Sequence, residues 1–123
     1  MIRLLIPIAL PSQNRYLGRG FWRLHQDKKK FQDAIGEAFI IEKANGRIPI
    51  AYLAPCTVKR TIGIMTYRKR LIDDDNLSIK ALLDALVRLE LLKDDSPKWL
   101  NTQYVSQVSI GKKGKELTEI WIK

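Results

Sequence analysis

The chain has 123 residues, of which 46% are hydrophobic and 28% are charged, values that predict one globular domain, residues 1–123, with a single hydrophobic core. Its 22 Lys and Arg against 13 Asp and Glu give a net charge of +9, which favours a negatively charged partner such as nucleic acid. No apolar run has the length of a transmembrane helix. The apolar start, Met1 to Leu10, is short and contains Arg3, so we expect a strand there, with no signal peptide and no membrane partner.

A single cysteine and a single histidine restrict the chemistry open to the chain. Cys56 has no second cysteine for an intrachain disulfide, which fits a reducing cytoplasm. Its apolar surroundings indicate a small core residue rather than a catalytic thiol. His25 is also alone, so the chain has no His/Cys metal cluster and no other histidine around which to build a Ser/His/Asp triad. We expect no organic cofactor.

The first half of the chain predicts a strand followed by a helix. Leu4 to Leu10 is apolar and leads into a loop of turn-forming residues, Pro11 to Tyr16. Apolar residues at helical spacing then predict a helix from Phe21 to Lys43, which ends at Asn45-Gly46. The segment from Ile48 to Leu53 is predicted to be either a short strand or an extended lead-in to the next one.

The second half predicts a strand, a helix and two further strands. Thr57 to Tyr67 is rich in β-branched residues, and Leu77 to about Leu91 has the clearest helical periodicity in the chain. Thr102 to Ile110 and Glu116 to Ile122 are predicted strands, joined by residues 111–115 as a glycine-containing hairpin loop. The order β-α-β-α-β-β predicts an α+β domain with a mainly antiparallel sheet and two helices packed on it.

Three consecutive carboxylates, Asp73 to Asp75, closely follow three cations, Arg68 to Arg70. Adjacent like charges repel unless a cation binds them, and Mg²⁺ prefers carboxylate oxygens together with water and phosphate oxygens. Helix capping would account for one aspartate, or two, but does not require three. A second pair, Asp94-Asp95, precedes Ser96-Pro97 and could simply form a turn. Because both acidic groups occur in a strongly basic chain, we favour a functional role for them.

Residue spacing separates the first three aspartates. Successive side chains of an extended segment point to opposite sides, so Asp73 and Asp75 can face one metal ion together while Asp74 points away. This alternation selects Asp73 and Asp75 as metal ligands and leaves Asp74 as a capping or solvated group.

Two segments of the sequence resemble the RusA family of phage and prophage Holliday-junction resolvases. One is the loop Pro11-Ser12-x-Asn14-Arg15-Tyr16 after the first strand. The other is Asp73-x-Asp75-Asn76-Leu77, continued by Lys80, Asp84-Ala85-Leu86 and Asp94-Asp95. Length, charge and element order match that family as well, so the resemblance covers essentially the whole chain.

The resemblance implies a homodimer that binds four-way or other branched DNA and cuts it with Mg²⁺, or with Mn²⁺ as a substitute. It assigns the three essential carboxylates to Asp73, Asp75 and Asp95 and the essential lysine to Lys80. The usual pattern places the lysine one position earlier, where this chain has Ile79, so one residue is inserted near Ser78. An insertion inside a helix would rotate everything after it by about 100°. We therefore expect the insertion to be absorbed before the helix begins.

The expected reaction is hydrolysis of a DNA phosphodiester, as in recombination and repair, with Lys80 near the reacting phosphate. Flanking phosphates would be held by Asn14, Arg15, Arg68, Lys69 and Arg70. Two alternatives remain open: a non-catalytic DNA-binding protein of the same fold, and a structural protein whose acids bind Ca²⁺ or only cap helices.

The predicted helix between the two acidic groups would separate them by roughly 20 Å at 1.5 Å per residue. Asp95 must then either fold back towards Asp73 and Asp75 or meet them across a dimer interface. The sequence leaves both arrangements open.

Overall fold

Four strands and two α-helices alternate in the predicted order in a computed structural model that describes residues 1–18 and 20–123. The elements are β1 (Ile2–Ile6), α1 (Gly20–Ala44), β2 (Arg60–Arg68), α2 (Lys80–Arg88), β3 (Leu100–Ser109) and β4 (Leu117–Ile122). Short 3₁₀ turns cover Gln13–Tyr16, Ile50–Tyr52 and Asp74–Asn76. The segment before β2, for which the sequence allowed a strand, is therefore a single helical turn.

The four strands form one mixed sheet in the order β1-β4-β2-β3. β4 lies between β1 and β2 and is antiparallel to both, whereas β3 runs parallel to β2 along the far edge. Two of the three strand pairs are thus antiparallel. The predicted α+β domain with a mainly antiparallel sheet and helices packed on it is confirmed.

Both helices cover the same face of the sheet. Buried and exposed residues alternate along β1, as expected for a strand with only one face against the core. The inward side chains of β1, β2 and β4 are almost fully buried and pack in one core with both helices. They are Ile2, Leu4, Ile6, Ile62, Ile64, Ile120 and Ile122. The helices contact each other as well, and the Lys28 ammonium lies 3.0 Å from the Asp84 carboxylate between them.

The predicted hairpin between the last two strands is wrong. β3 and β4 are not neighbours, because β2 lies between them and the 110–116 connection passes over its end. The loop has hairpin composition, but β4 pairs with β1 on one side and with β2 on the other, which leaves it no edge for β3. Ile110 instead donates its N–H to the Arg68 carbonyl at 2.9 Å, so that β3 stays beside β2 up to its last residue.

α2 is shorter than the periodicity predicted and runs only from Lys80 to Arg88. The Ser78 N–H donates to the Pro11 carbonyl at 2.9 Å. A helix that began at Leu77 would place this N–H in its first turn instead. At the other end Glu90 has φ +63°, and the N–H groups of Glu90 and Leu91 donate to the carbonyls of Val87 and Leu86. This pair of bonds is a Schellman ending, in which the left-handed residue stops the helix.

Two of the predicted strands are shifted as well: β1 ends at Ile6 rather than Leu10, and β2 begins at Arg60 rather than Thr57. Cys56 is buried and its thiol donates to the Val58 carbonyl, as expected for a small core residue. Within residues 1–18 and 20–123, neither helix combines the length and apolar character needed to cross a bilayer.

Candidate functional site

The two segments that carry the sequence resemblance lie in direct contact. Ser12 and Leu77 form an isolated antiparallel bridge, and Ser78 donates its N–H to the Pro11 carbonyl at 2.9 Å. We name residues 11–16 the proline loop and residues 73–76 the acidic turn. Although they are far apart in the chain, the proline loop contacts Leu77 and Ser78, which directly follow the acidic turn.

Two buried threonines hold the segment that precedes the proline loop. The Thr66 hydroxyl accepts a hydrogen bond from the Leu10 N–H at 2.9 Å, and the Thr118 hydroxyl donates to the Ile8 carbonyl at 2.6 Å. The two hydroxyls lie 3.0 Å apart, and the Arg68 guanidinium donates to the Leu10 carbonyl. The sheet therefore fixes the position from which the proline loop starts.

The proline loop is tied to α1 through a buried carboxylate. Asp27 accepts hydrogen bonds from Arg15 Nε at 2.7 Å, from the second Arg15 nitrogen at 3.1 Å, and from the Tyr16 hydroxyl at 2.7 Å. Burial alone would raise the pKa of Asp27, but the bonds from Arg15 and Tyr16 outweigh burial and hold this pKa below its ordinary value. Burial and the bond to Asp27 together raise the pKa of the Tyr16 hydroxyl.

Arg15 has a structural partner that the sequence did not reveal. Its guanidinium forms a two-point pair with Asp27, and 42% of its side chain remains exposed. Asn14 is exposed, and its backbone N–H donates to the Ser12 hydroxyl at 3.1 Å, which caps the 3₁₀ turn. Any contact of Arg15 with phosphate therefore uses the part of the guanidinium that faces away from Asp27.

A basic pocket of about 530 Å³ opens beside the proline loop. Its cationic lining residues are Arg15, Arg23, Lys30 and Arg68. Two acids also line it, Asp27 and Glu116, but Asp27 is paired with Arg15 and Glu116 accepts the Lys69 N–H at 3.0 Å. The pocket thus presents positive charge towards solvent. Arg23 was missed by the sequence analysis, since it belongs to no cluster of cations.

The acidic turn does not have the extended geometry that the alternation argument assumed. Asp73 is extended, with φ −61° and ψ 136°, but Asp74 to Asn76 form a 3₁₀ turn. The premise of strict alternation is therefore wrong. Asp74 is nevertheless distinguished from its neighbours, because its Oδ1 accepts a hydrogen bond from Gln107 Nε2 at 2.7 Å.

Gln107, on β3, holds the acidic turn in place. Its side-chain oxygen accepts the Ile72 N–H at 3.2 Å, and its side-chain nitrogen donates both to the Ile72 carbonyl and to Asp74. No pattern in the sequence singles out Gln107, because the contact depends on β3 lying next to β2. Asp73 and Asp75 are exposed, and in the part of the chain that the structure describes neither carboxylate is paired with a cation.

The two aspartates of the second acidic pair, Asp94 and Asp95, also differ in their contacts. The Asp94 carboxylate interacts with the backbone N–H of Asp95 and the hydroxyl of Ser96, and these contacts lower the pKa of Asp94. The same turn continues with the N–H groups of Trp99 and Leu100, which donate to the Ser96 carbonyl at 2.9 Å. Asp94 thus stabilises the turn before β3, while Asp95 is exposed beside it.

The single chain does not bring the three predicted metal ligands together. Asp73 and Asp75 precede α2 and Asp95 follows it, and the nine residues of α2 span about 13 Å. Asp95 lines a different pocket, together with Lys28, Asp84 and others. Over residues 1–18 and 20–123, no group of three or more acidic, His or Cys side chains is arranged to hold a metal ion.

Lys80 is exposed and is the first residue of α2. Ser78, near which the resemblance implies an inserted residue, lies before this helix. Arg68 Nε donates to the Arg70 carbonyl at 3.1 Å, and Lys69 and Arg70 are exposed between β2 and the acidic turn. These cations lie between the end of β2 and the acidic turn.

No model of a known protein family matches this chain, and no curated protein matches it either. Exposed carboxylates, Asp73 and Asp75, follow the exposed cations Lys69 and Arg70 on this surface. Carboxylates of this kind can bind a hard divalent cation, and the cations can bind phosphate.

Proposed function

We propose that this protein is a Mg²⁺-dependent endodeoxyribonuclease that resolves four-way DNA junctions and works as a homodimer of the RusA type. The observation that supports this most is the contact between the proline loop and the residues that directly follow the acidic turn, through Ser78 and Pro11 at 2.9 Å. The two segments of the resemblance would have no reason to meet if each were a chance match. Their contact is consistent with a single surface that binds both phosphate and a metal ion.

The donor set fits Mg²⁺, because Asp73 and Asp75 offer exposed carboxylate oxygens and Asp95 offers a third. Bound there, Mg²⁺ would supply positive charge that lowers the pKa of water and stabilises the oxygens at the reacting phosphorus. Lys80 would add its charge beside the reacting phosphate. Lys69 and Arg70 would hold the flanking phosphates and so orient the strand without reading its sequence.

A second copy of the chain would complete the site. Asp95 lines a pocket beside α2 with Lys28 and Asp84, and no group of three ligands is gathered in the described residues, so one chain does not supply all three ligands to one ion in this conformation. A two-fold axis at the outer edge of β3 would relate two copies so that Asp95 of one could lie near Asp73 and Asp75 of the other. The same axis matches the two-fold symmetry of a four-way junction and produces two sites for paired cuts.

The edge strand β3 supplies a surface for such a dimer. It is ten residues long and contains no charged residue and no proline, in a chain with 28% charged residues. Exposed edges are normally protected by charges, proline or short length. The other edge strand, β1, has only five residues and includes Arg3. The register shift of β3 opposite Ile62 and Gly63 bends this edge but leaves a regular stretch from Tyr104 to Ser109.

Antiparallel pairing of two β3 strands would exchange the acidic groups as required. Gln107, near the end of β3, contacts the acidic turn, whereas Leu100, at its start, follows the Asp94–Ser96 turn. In an antiparallel pair the end of one β3 lies beside the start of the other. Asp75 of one copy and Asp95 of the other would then be neighbours twice, once at each end of the interface.

Mixing two inactive variants tests the shared site. We expect Asp75→Asn and Asp95→Asn to be inactive alone, because each removes a charged ligand from both sites. A mixed dimer has one site in which both mutations coincide and one site in which neither is present, so nicking of a labelled junction should return when the variants are refolded together. No recovery, with dimers present, would place the complete site within one chain.

The overall function is tested by cutting a synthetic four-way junction with Mg²⁺ and with EDTA. We expect cleavage only with the metal, and loss of cleavage with retained binding for Asp75→Asn, because Asn is nearly isosteric but uncharged. Asp74→Asn is the matched control, since its amide oxygen can still accept the bond from Gln107. Wild-type cutting by Asp75→Asn and none by Asp74→Asn would reverse the assignment of these two aspartates.

One observation favours a second candidate, a non-catalytic DNA-binding protein of the same fold. The basic pocket is present in one chain, whereas the three carboxylates are not gathered in one chain. Such a protein would bind DNA with a steep, log-linear dependence on salt and would cut no junction at any Mg²⁺ concentration. Equal affinity for a junction and for duplex of matched length would also favour this candidate.

A further inference from the structure

An aromatic pair is exposed at the start of α1. Phe21 and Trp22 are 72% and 68% exposed, and their rings form an edge-to-face pair with centroids 5.8 Å apart. The core contacts of α1 are made further along the helix, where Phe31 and Ile35 are fully buried. Two large aromatic side chains therefore remain in water, although the helix does not need them for packing.

The aromatic pair lies next to the basic pocket. Gly20, the first residue of α1, packs so closely on the proline loop that a Cβ there would lie 3.0 Å from Tyr16 Cβ. This close approach fixes the start of the helix against the turn that carries Arg15. Arg23, directly after the pair, lines the pocket, and its guanidinium lies 3.5 Å from the Arg15 carbonyl oxygen. The aromatic pair thus directly precedes, along α1, a cation that lines the basic pocket.

We propose that Phe21 and Trp22 stack against an unpaired DNA base at the branch point, while Arg23 and Lys30 hold the phosphates on either side of it. The inference rests on the proposed function, since it names the DNA feature that this surface would contact. Every base has a flat π face, so stacking of this kind is tolerant of sequence, and Arg and Lys neutralise the backbone that follows the base. A four-way junction offers such bases because its central pairs open easily.

The neighbouring charge argues for DNA rather than for a second protein chain. The pocket beside the pair contributes four cations, and its two acids are engaged by Arg15, Tyr16 and the Lys69 backbone. A second copy of this basic chain would bring like charges to the same place. The β3 edge, which is uncharged, is the better surface for that copy.

Binding of two DNA probes by Trp22→Leu tests the inference without requiring cleavage. The first probe is single-stranded oligothymidine, and the second is a four-way junction with 2-aminopurine at the branch point. We expect wild-type tryptophan fluorescence to be quenched by oligothymidine, and Trp22→Leu to lose most of the quenching and about 5- to 150-fold in affinity, the range for one lost stacking contact. Trp22→Phe should recover much of the affinity, because it restores a π face.

Ile41→Ala is the matched control, since Ile41 is a 58% exposed apolar residue at the other end of the same helix. It should bind both probes like the wild type. Wild-type affinity of Trp22→Leu for oligothymidine would overturn the inference. So would loss of binding by Trp22→Leu accompanied by a change from dimer to monomer, because the pair would then be an interface between copies. If oligothymidine quenches the fluorescence but the protein cuts no junction, the proposed nuclease function is wrong while the stacking site is still supported.

Discussion

Gln107 stands on β3, yet its side-chain amide contacts the segment that precedes α2. It bonds the backbone of Ile72 through both its oxygen and its nitrogen, and it also donates to Asp74. Asp74 is therefore held by the sheet, whereas Asp73 and Asp75 are left exposed on either side of it. One neutral side chain thus fixes the backbone before the acidic turn and the carboxylate of Asp74.

Replacing this amide should loosen the acidic turn. We expect Gln107→Ala to unfold with a free energy lower by about 1–2 kcal/mol, because the lost hydrogen bonds are partly exposed. Junction cleavage should fall at least about tenfold, and higher Mg²⁺ should recover part of the rate, since the ligands become mobile rather than absent. Gln103→Ala, on the same strand, is the control. Equal Mg²⁺ dependence of the two variants would show that Gln107 does not position the turn.

Asp27 should make folding stability depend on acid pH. Its pKa in the folded protein lies below the ordinary 3.8, so its ionised form stabilises the fold above that pH, and the contribution is lost as pH falls through the folded value. Asp27→Asn cannot titrate there. The difference in free energy of unfolding between wild type and Asp27→Asn should be constant near neutral pH and shrink below about pH 4. A difference that grows as the solution is acidified would contradict this.

The elements of the fold were largely predictable, and their ends and neighbours were not. α2 was predicted from its apolar spacing, but its limits depend on Pro11, which accepts the Ser78 N–H, and on the left-handed Glu90. The last two strands were predicted, but their pairing depends on β4 bonding to β1, a contact between opposite ends of the chain. Local patterns report local structure, and contacts across the sequence decide the rest.

The same difference applies to the candidate site: the sequence suggests the candidate ligands but not the side chains that contact them. The charge pattern and the resemblance predict the aspartates and Lys80 as site residues. The partner of Arg15 on α1 and the partner of Asp74 on β3 required the folded chain, since nothing near either residue in sequence indicates Asp27 or Gln107. The aromatic pair at the start of α1 was assigned to a predicted helix, and only its exposure in the folded chain revealed it as unusual.

The end of α2 contains a residue whose backbone conformation favours glycine. Glu90 has φ +63°, a left-handed conformation that costs a residue with a Cβ roughly 1 kcal/mol or more. Glu90→Gly should therefore raise the free energy of unfolding by about 0.5–1 kcal/mol, measured by denaturant titration, with the slope unchanged. Glu37→Gly, at an exposed position inside α1, should do the opposite by a similar amount. Loss of stability in both variants would mean that the Glu90 side chain stabilises the turn.

Lys80 tests the beginning of the same helix. It is the first residue of α2 and is exposed, so Lys80→Ala should melt at nearly the wild-type temperature. Single-turnover cleavage should be slower by about 10²-fold or more if its charge stabilises the transition state. Lys43→Ala, which removes an equally exposed cation from the end of α1, controls for the loss of general attraction to DNA. A wild-type cleavage rate for Lys80→Ala would remove Lys80 from the site and leave the aspartates in it.

The molecule as a whole has one protected sheet edge and one open one. β1 is short and charged, whereas β3 is long, uncharged and mostly exposed. Within residues 1–18 and 20–123, no other strand pairs with the outer edge of β3. An edge of this type either associates with another strand or risks aggregation.

Placing charge on the open edge should separate the two copies. In the double variant Thr102→Lys, Val108→Lys, positions near the start and end of one β3 face their counterparts in the other, so like charges meet twice across the interface. We expect sedimentation at the mass of one chain and loss of cleavage, with the wild-type circular dichroism spectrum. Leu5→Lys, on the opposite edge strand, should remain a dimer. The reverse pattern would move the interface to β1.

The position of β4 between β1 and β2 affects how the chain folds. Every backbone bond that ties β1 to the sheet joins residues as far apart as Ile6 and Thr118, and the entropy of closing so long a loop must be lost before any of these bonds form. Such contacts favour slow folding, in milliseconds to seconds rather than microseconds. A ribosome that has not yet made residues 117–122 holds a chain in which β1 has no partner strand and β2 lacks its inner neighbour. The nascent chain therefore gains most of its cooperative stability in one step, when its last strand emerges.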